Sequence, residues 1–338
     1  MTQTNHRVLL KQRPVGPVTD AVFDFDEQPV GEPGDGEVLV RNLFLSVDPY
    51  MRGRMNDVKS YVPPFEIGEP LQGGVVGEVV ASRAEGYAEG DTVMGMLGWE
   101  QYSIADGRAL RPVVAGDLPL SYHLGILGMP GLTAWVGLNV IGACKPGDAV
   151  LVSAASGAVG SVVGQIARNQ GCYVVGSAGS DEKVTWLRDS LGFDVAFNYK
   201  TVDSIHAAVH KAFPKGIDVN FENVGGDMLE AAIWNMAPFG RIALCGMIAN
   251  YNARPEEMPP GPRGMTALIG RSVRMEGFIV SNHLEHAPAW DRQCREWLAA
   301  GKLEYRESVA EGLAQAPAAF MGLMRGENFG KQIVKITD

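Results

Sequence analysis

The sequence predicts a two-part α/β chain: a small, irregular β-rich domain of barrel-like texture, followed by a doubly wound parallel sheet. Three observations lead there. From residue 7 to about 128, short alternating runs such as Val38-Leu39-Val40 and Gly74-Val75-Val76-Gly77-Glu78-Val79-Val80 are split by Gly, Pro and Asp turns. From about Met129 onward, strand-like and helix-like periods alternate, the signature of parallel strands joined by helical crossovers. Within that alternation, Leu151-Val152-Ser153-Ala154-Ala155-Ser156-Gly157-Ala158-Val159-Gly160-Ser161-Val162-Val163-Gly164 reads as strand, turn of small residues, helix.

The elements follow in order. Strands are expected at 149–153, 172–177, 195–198, 218–222, 241–245 and 274–279, with helices at 159–169, 182–191, 202–213 and 227–236 separating the first five. The most apolar stretch, 124–144, holds Pro130, Thr133, Asn139 and several glycines, and reads as a buried helix rather than a membrane span. Residues 250–264 form a Pro- and Gly-rich loop, long for a compact domain and suited to a pocket wall. The tail from 285 carries a helix at 290–300 and a last strand at 331–336, and is expected to pack back on the first domain. The expected division is therefore 1–127 with about 285–338, and 128–284.

Composition bounds the partners. The 338 residues carry a formal net charge of −10, which argues against nucleic acid or an anionic membrane as the main partner. The first seven residues are polar and lack the apolar core of a secretory signal, so a cytoplasmic location is expected. Four cysteines, Cys144, Cys172, Cys245 and Cys294, are scattered without a CxxC pair and read as buried thiols in a reducing compartment. His283 and His286 stand three apart with Cys294 beyond, but no other ligand cluster supports them and no metal is expected.

The turn spells Ala155-x-Gly157-x-x-Gly160, with alanine where a dinucleotide-binding turn usually has its first glycine. Small residues there let the backbone approach a pyrophosphate, and the free N–H groups of the helix start face its charge. The next strand, Cys172-Tyr173-Val174-Val175-Gly176-Ser177-Ala178-Gly179-Ser180, ends without the acid that holds the ribose hydroxyls of NAD. Asp181 and Glu182 belong to the next helix, capped by Ser180, and Lys183 follows. A missing carboxylate, small hydroxyl residues and a nearby cation favour NADPH over NADH. A solvated helix lysine is the bland alternative for Lys183.

Three further segments concentrate polar groups. Ser46-Val47-Asp48-Pro49-Tyr50-Met51-Arg52-Gly53-Arg54 is either a site or a structural turn with a buried Tyr50. Cys245-Gly246-Met247-Ile248-Ala249-Asn250-Tyr251-Asn252 leaves the fifth strand at its C-terminal end, where ligands bind in such sheets. Gly326-Glu327-Asn328-Phe329-Gly330-Lys331 precedes the last strand, and Asn328 is a turn residue or a cofactor contact. No Tyr-x-x-x-Lys pair, Gly-x-Ser-x-Gly elbow or complete Walker loop is present.

With these residues in view, the chain resembles the zinc-independent medium-chain dehydrogenase/reductases. Within them it is similar to the NADPH-dependent alkenal and double-bond reductases: leukotriene/prostaglandin reductases, plant 2-alkenal reductases and, most of all, bacterial curcumin reductases. The likeness spans almost the whole chain. It includes Val47-Asp48-Pro49-Tyr50-Met51-Arg52-Gly53-Arg54-Met55, Leu127-Gly128-Met129-Pro130-Gly131-Leu132-Thr133-Ala134, Glu222-Asn223-Val224-Gly225-Gly226, Pro259-Pro260-Gly261-Pro262, Glu276-Gly277-Phe278-Ile279-Val280 and Asn328-Phe329-Gly330-Lys331.

The resemblance implies a GroES-like catalytic domain completed by the C-terminal tail, a Rossmann domain between, and a homodimer. It implies that Gly157, Ala158, Val159 and Gly160 take the pyrophosphate, and that Lys183 and Tyr199 take the ribose phosphate. It places Asn223 and Cys245, Gly246, Met247 and Tyr251 along the adenosine and nicotinamide side. Phe278, Ile279, Val280 and Asn328 then close around the nicotinamide. Zinc-dependent relatives carry a cysteine near Asp48-Pro49-Tyr50 and a Gly-His-Glu near Gly68-Glu69-Pro70, and neither is kept.

The activity so implied is hydride transfer to the β-carbon of an α,β-unsaturated ketone or aldehyde. Tyr251, with Tyr50, is the expected catalytic hydrogen-bond donor to the enolate oxygen. An apolar pocket of Tyr50, Met51, Phe65, Met129 and Tyr251, with the 250–264 loop, would accept a bulky hydrophobic enone or alkenal. The rivals are a quinone reductase on the same scaffold and a catalytically silent NADPH-binding protein.

Overall fold

The computed structural model describes residues 3–114, 116–254 and 257–336. The chain forms two compact units. One holds the residues up to Gly125 together with Glu307–Asn328 and the segment from Gln332; the other holds Ile126–Arg306 and Phe329–Lys331.

In the first unit β1 (Thr4–Leu10) pairs antiparallel with β2 (Phe23–Pro29), Val8 opposite Phe25. The chain continues through β3 (Glu37–Ser46), a single helical turn α1 (Met51–Arg54), β4 (Gln72–Ser82), β5 (Thr92–Gly98), β6 (Tyr102–Asp106) and the short β7 (Arg111–Pro112). The two-residue period turns Val38, Val40, Val75, Val79, Val93 and Leu97 inward. Register shifts at Leu39/Val40 and Asn42/Phe44 mark irregularities where β3 runs along β4. Trp99, fully buried, stacks on Phe23 at 6.2 Å between ring centroids and meets Phe320 edge-on at 6.3 Å.

The second unit opens with α2 (Met129–Val136), which widens into a π-turn at Gly137–Ile141. Then follow β8 (Ala149–Val152), α3 (Gly160–Asn169), β9 (Tyr173–Ala178), α4 (Asp181–Asp189), β10 (Val195–Asn198), α5 (Ile205–Ala212), β11 (Ile217–Glu222), α6 (Gly226–Asn235), β12 (Met236–Leu244), α7 (Met265–Gly270), β13 (Arg274–Gly277) and α8 (Ala287–Ala299). The six strands are parallel in the order β10-β9-β8-β11-β12-β13. The order reverses between β8 and β11, so a crevice opens beyond their C-terminal ends. Val219, Asn220, Phe221 and Glu222 of β11 are all fully buried, as a central strand covered on both faces requires. Helix α3 buries Val162, Val163, Ile166 and Ala167, and Ser180 caps α4 by accepting from the Lys183 N–H.

The chain then adds β14 (Glu307–Glu311), α9 (Ala316–Met324) and β15 (Lys331–Lys335). The strands of the first unit's main sheet run β14-β15-β3-β4-β5-β7, with β6 paired to β3.

Four differences from the sequence reading have physical causes. The apolar stretch 124–144 is not one helix: a 3₁₀ turn (Leu120–Leu124), α2 and the π-turn divide it. The break falls at Gly137, where a Cβ would meet the Phe221 ring at 2.4 Å. Among the described residues no helix is long and apolar enough to cross a membrane. Strand β12 starts at Met236, five residues before the expected 241, because Pro238-Phe239-Gly240, which reads as a turn, is absorbed by a register shift against β11 between Ile217 and Val219. The chain returns to the first unit at Glu307 rather than about 285. Helix α8 stays with the second unit, where buried Trp290 donates its Nε1–H to the Ile126 carbonyl at 2.8 Å. Finally, the cysteines are all free, but Cys144 and Cys245 are only half-buried, and Cys144 and Cys172 lie with their sulfurs 3.5 Å apart. The Cys144 S–H holds the Cys172 thiol below the ordinary range and its own pKa rises.

Candidate active site

The crevice begins at the turn after β8. Ala154 adopts a left-handed φ of 47°, and Gly157 donates to the Ala154 carbonyl at 3.0 Å. A Cβ on Gly160 would stand 2.5 Å from the Ala154 oxygen and 2.8 Å from the Ala155 Cα, so only glycine lets the helix start this close. Ala155, in the place of the usual first glycine, is fully buried. Its methyl fits because β9 offers Gly176 opposite, where a Cβ would come within 2.8 Å of it. The N–H groups of Val159 and Gly160 meet no acceptor among the described residues, and that of Ala158 faces the Gly330 carbonyl across the Gly157–Gly330 bridge. Two successive amide donors at the start of a ten-residue helix make an anion site of the kind pyrophosphates occupy.

The end of β9 supplies cations in place of an acid. Asp181 is engaged by the Asn198 side chain, which donates to it at 2.8 Å. Lys183 is 6% exposed, and its ammonium lies 5.2 Å from the centroid of Phe329. That placement excludes the solvated-lysine reading. Arg306 covers the same ring at 4.2 Å. The Tyr199 hydroxyl would stand 3.0 Å from a Cβ on Gly179, and Lys200 lies beside it, 5.9 Å from the Tyr199 ring. Lys200 and Arg306 were not singled out in the sequence, although Lys200 directly follows Tyr199.

Phe329 reaches this place through Gly330. Gly330 donates to the Ser156 carbonyl at 2.9 Å and bridges Gly157. Its φ is +59° and a Cβ would come 1.9 Å from the Arg306 carbonyl. Asn328, half-buried, stands one residue earlier.

Beyond β11 and β12 lies a cavity of about 510 Å³ lined by Cys245, Gly246, Met247, Tyr251, Phe278 and Ile279, together with Glu276, Asn282 and His283. A 3₁₀ turn (Ile248–Asn250) folds Tyr251 back so that its hydroxyl accepts from the Met247 N–H at 3.4 Å. The Phe278 ring packs edge-on against Phe221, with centroids 6.4 Å apart. Burial and nearby Glu222 push the Cys245 thiol up to about 12, which keeps it protonated and inert.

Two strand ends are joined beneath the cavity. Fully buried Glu222 accepts from Ser153 Oγ at 2.8 Å, Asn220 Nδ2 at 3.0 Å, Val224 N at 2.7 Å and Gly225 N at 2.9 Å. Asn223 donates its side-chain amide to the Ser153 carbonyl at 2.8 Å and its N–H to Ser153 Oγ at 2.7 Å. The side-chain N–H of Asn223 thus pins β11 to β8. This Ser153–Glu222–Asn223 network was not read from the sequence.

Family models match most of the chain: one described as the N-terminal domain of oxidoreductase over residues 6–113, another as zinc-binding dehydrogenase over 158–293. The NADP(+)-dependent 2-alkenal reductase of Nicotiana tabacum is 48% identical over 306 residues, covering 90% of this chain and 88% of that one. The NADPH-dependent curcumin reductase of Escherichia coli strain K12 is 42% identical over 341 residues, covering 99% and 97%. The crystal structure of CurA from Vibrio vulnificus in complex with NADPH superposes with a TM-score of 0.93 at 41% identity, covering 98% of this chain and 99% of that one. The chain belongs to the medium-chain dehydrogenase/reductases.

For a medium-chain reductase described by a zinc-binding model, the donor set decides whether zinc fits. Near Tyr50 it does not: Asp48 and Glu69 join no group of three His, Cys, Asp or Glu ligands among the described residues. Three such ligands do meet elsewhere, at His283, Glu285 and His286. The sequence reading had set the two histidines aside and had not counted Glu285.

The expected pocket residues of this reductase divide. Met51 and Phe65 are 0% and 3% exposed in the core of the first unit, with the Arg54 guanidinium 4.1 Å over the Phe65 ring. They therefore form core rather than pocket wall, which corrects that expectation. The apolar residues of a short turn were read as lining when they anchor it. Tyr50 packs on the same core; burial, then Asp48, pushes its phenol well above the ordinary range, and Arg54 hydrogen-bonds it. Met129 is 41% exposed at the start of α2. Neither Met129 nor Val280 lines the cavity described here. Of the expected 250–264 loop, residues 255 and 256 lie outside the described residues.

Proposed function

We propose that this protein is an NADPH-dependent reductase of the C=C bond in α,β-unsaturated ketones and aldehydes. The observation that carries the reading is the pair of unpartnered N–H groups at Val159 and Gly160, at the start of a helix beside a strand end that has Lys183 and Tyr199 instead of a free acid. The first feature suits a pyrophosphate, the second a ribose phosphate. The printed names of the relatives, alkenal and curcumin reductases, agree with it.

Bound NADPH supplies the hydride. The chain's residues do the rest. Gly277, Phe278 and Ile279 line one side of the cavity and Cys245 to Met247 another, and these segments would hold the nicotinamide when NADPH is bound. Tyr251 hydrogen-bonds the carbonyl oxygen of the substrate as negative charge gathers there. A hydroxyl that accepts from the Met247 amide aims its proton elsewhere, in keeping with a donor role. Water or Tyr251 delivers the final proton to the α-carbon.

A cytoplasmic homodimer is part of the reading. Among the described residues β13 is the last strand of the six-stranded sheet, and such an edge offers a second copy a pairing surface. Sedimentation of the purified protein tests it: a species of one chain mass at micromolar concentration removes the dimer.

The test of function is NADPH oxidation across short alkenals, long enones, curcumin-like diketones and quinones, repeated with NADH. Turnover confined to enones and alkenals, with NADPH preferred, supports the proposal. Turnover of quinones alone selects the quinone reductase, and binding without turnover selects the silent binder.

A further inference from the structure

The 3₁₀ segment Val280–His286 does more than close one side of the cavity. His283 breaks its regular turn with φ −135° and ψ 28°. Around that kink the His283 and His286 rings stack, with centroids 6.4 Å apart and planes 20° from parallel. Glu285 reaches the same place, its Oε1 3.5 Å from His286 Nε2. One ligating atom from each of the three residues lies within 4.8 Å of the other two. The base is firm: the His286 ring leans on Trp135 at 5.2 Å, and Trp135 is fixed by its Nε1–H bond to Gln293 Oε1 at 2.8 Å. His283 also lines the cavity that Tyr251 lines.

We propose that His283, Glu285 and His286 form a binding site for a zinc-class divalent cation at the rim of the active-site cavity, and that occupation inhibits the enzyme. Two imidazole nitrogens and one carboxylate oxygen are the donors that zinc prefers over magnesium. Three protein ligands on one short turn leave a fourth position for water. None of the three is Asp48 or Glu69, where catalytic zinc has no donor set. Binding draws the His283 side chain to the metal and sets a hydrated ion beside the mouth of the cavity, which narrows the entrance for substrate. The inhibitory half rests on the cavity being the reactive end of the site; the binding half does not.

The experiment titrates zinc chloride into the full-length protein by calorimetry and follows NADPH oxidation in parallel. Expected is one saturable site per chain, silence with magnesium chloride, and loss of turnover that a chelator reverses. His286→Ala, which lies outside the cavity wall, keeps its turnover in chelator, and its zinc affinity falls by about tenfold or more. Glu285→Gln, at an exposed side chain, gives a smaller loss and guards against a folding defect in the first variant. No saturable zinc binding, or unaltered affinity in both variants, overturns the site. Binding without inhibition overturns the inhibitory role. An enzyme inactive on every enone refutes the proposed function while the calorimetry still decides the site.

Discussion

The hydroxyl of Tyr251 accepts from the backbone N–H of Met247 at 3.4 Å, across the 3₁₀ turn that closes the end of β12. The phenol therefore stays over the backbone of Gly246 and Met247 rather than swinging with the loop beyond it. Tyr251→Phe keeps the ring and removes the donor. Turnover should fall by about 10²-fold, the effect of deleting one donor to a developing oxyanion, while NADPH affinity stays within about twofold. Steady-state kinetics with a fluorescence titration of cofactor separate the two. Wild-type turnover in the variant would take Tyr251 out of the mechanism.

Lys183 is held at the start of α4 with its ammonium against Phe329. One charge-assisted bond to a ribose phosphate is worth about 1.5–3 kcal/mol, so Lys183→Ala should raise the Kd for NADPH by roughly 10- to 150-fold. NADH, which lacks that phosphate, should bind nearly as before. Equal loss with both nucleotides would assign Lys183 to packing instead.

Ala155 and Gly176 share one space. A methyl on Gly176 would come within 2.8 Å of both Ala155 Cβ and the Phe193 ring. Gly176→Ala should cost about 1–3 kcal/mol of stability, as overpacking of a closed core does. The pair Ala155→Gly with Gly176→Ala should recover part of that loss, leaving the Phe193 contact. Urea unfolding measures each variant, and a fully additive double variant would deny the coupling.

Burial raises the Glu222 carboxyl above its usual value, against the opposing hydrogen bonds of Asn220, Gly225, Val224 and Ser153. A raised folded-state pKa means that the folded protein holds the proton after the unfolded chain has lost it. Stability is thus highest below the unfolded value of about 4.3 and declines as pH rises from there through the folded pKa. Glu222→Gln removes this contribution. The variant's urea midpoint should fall less than the wild type's as the pH rises from about 4.5 to neutrality. Parallel pH profiles for the two proteins would contradict the assignment.

Much of this was legible in the sequence where local pattern and tertiary demand agree. The β8 turn, the absence of an acid after β9 and the Ser180 cap each follow from residues adjacent in the chain. Tyr251, which lines the cavity, stands out in the sequence because it follows the C-terminal end of a strand. What stayed hidden depends on distance in sequence. Ser153 meets Glu222 across 69 residues and Phe329 reaches Lys183 through a bend that only Gly330 permits. Cys144 and Cys172 look unrelated until the loop before β8 folds beside the start of β9. Met51 and Phe65 show the opposite failure: apolar residues near a polar turn read equally well as pocket or core, and burial chose core.

The most direct measurement follows the hydrogen. NADPH carrying deuterium at the transferring position of its nicotinamide is reacted with an α,β-unsaturated ketone, and the product is read by NMR. The account predicts deuterium on the β-carbon, with the carbonyl intact. Deuterium on the carbonyl carbon, or none in the product, would contradict it.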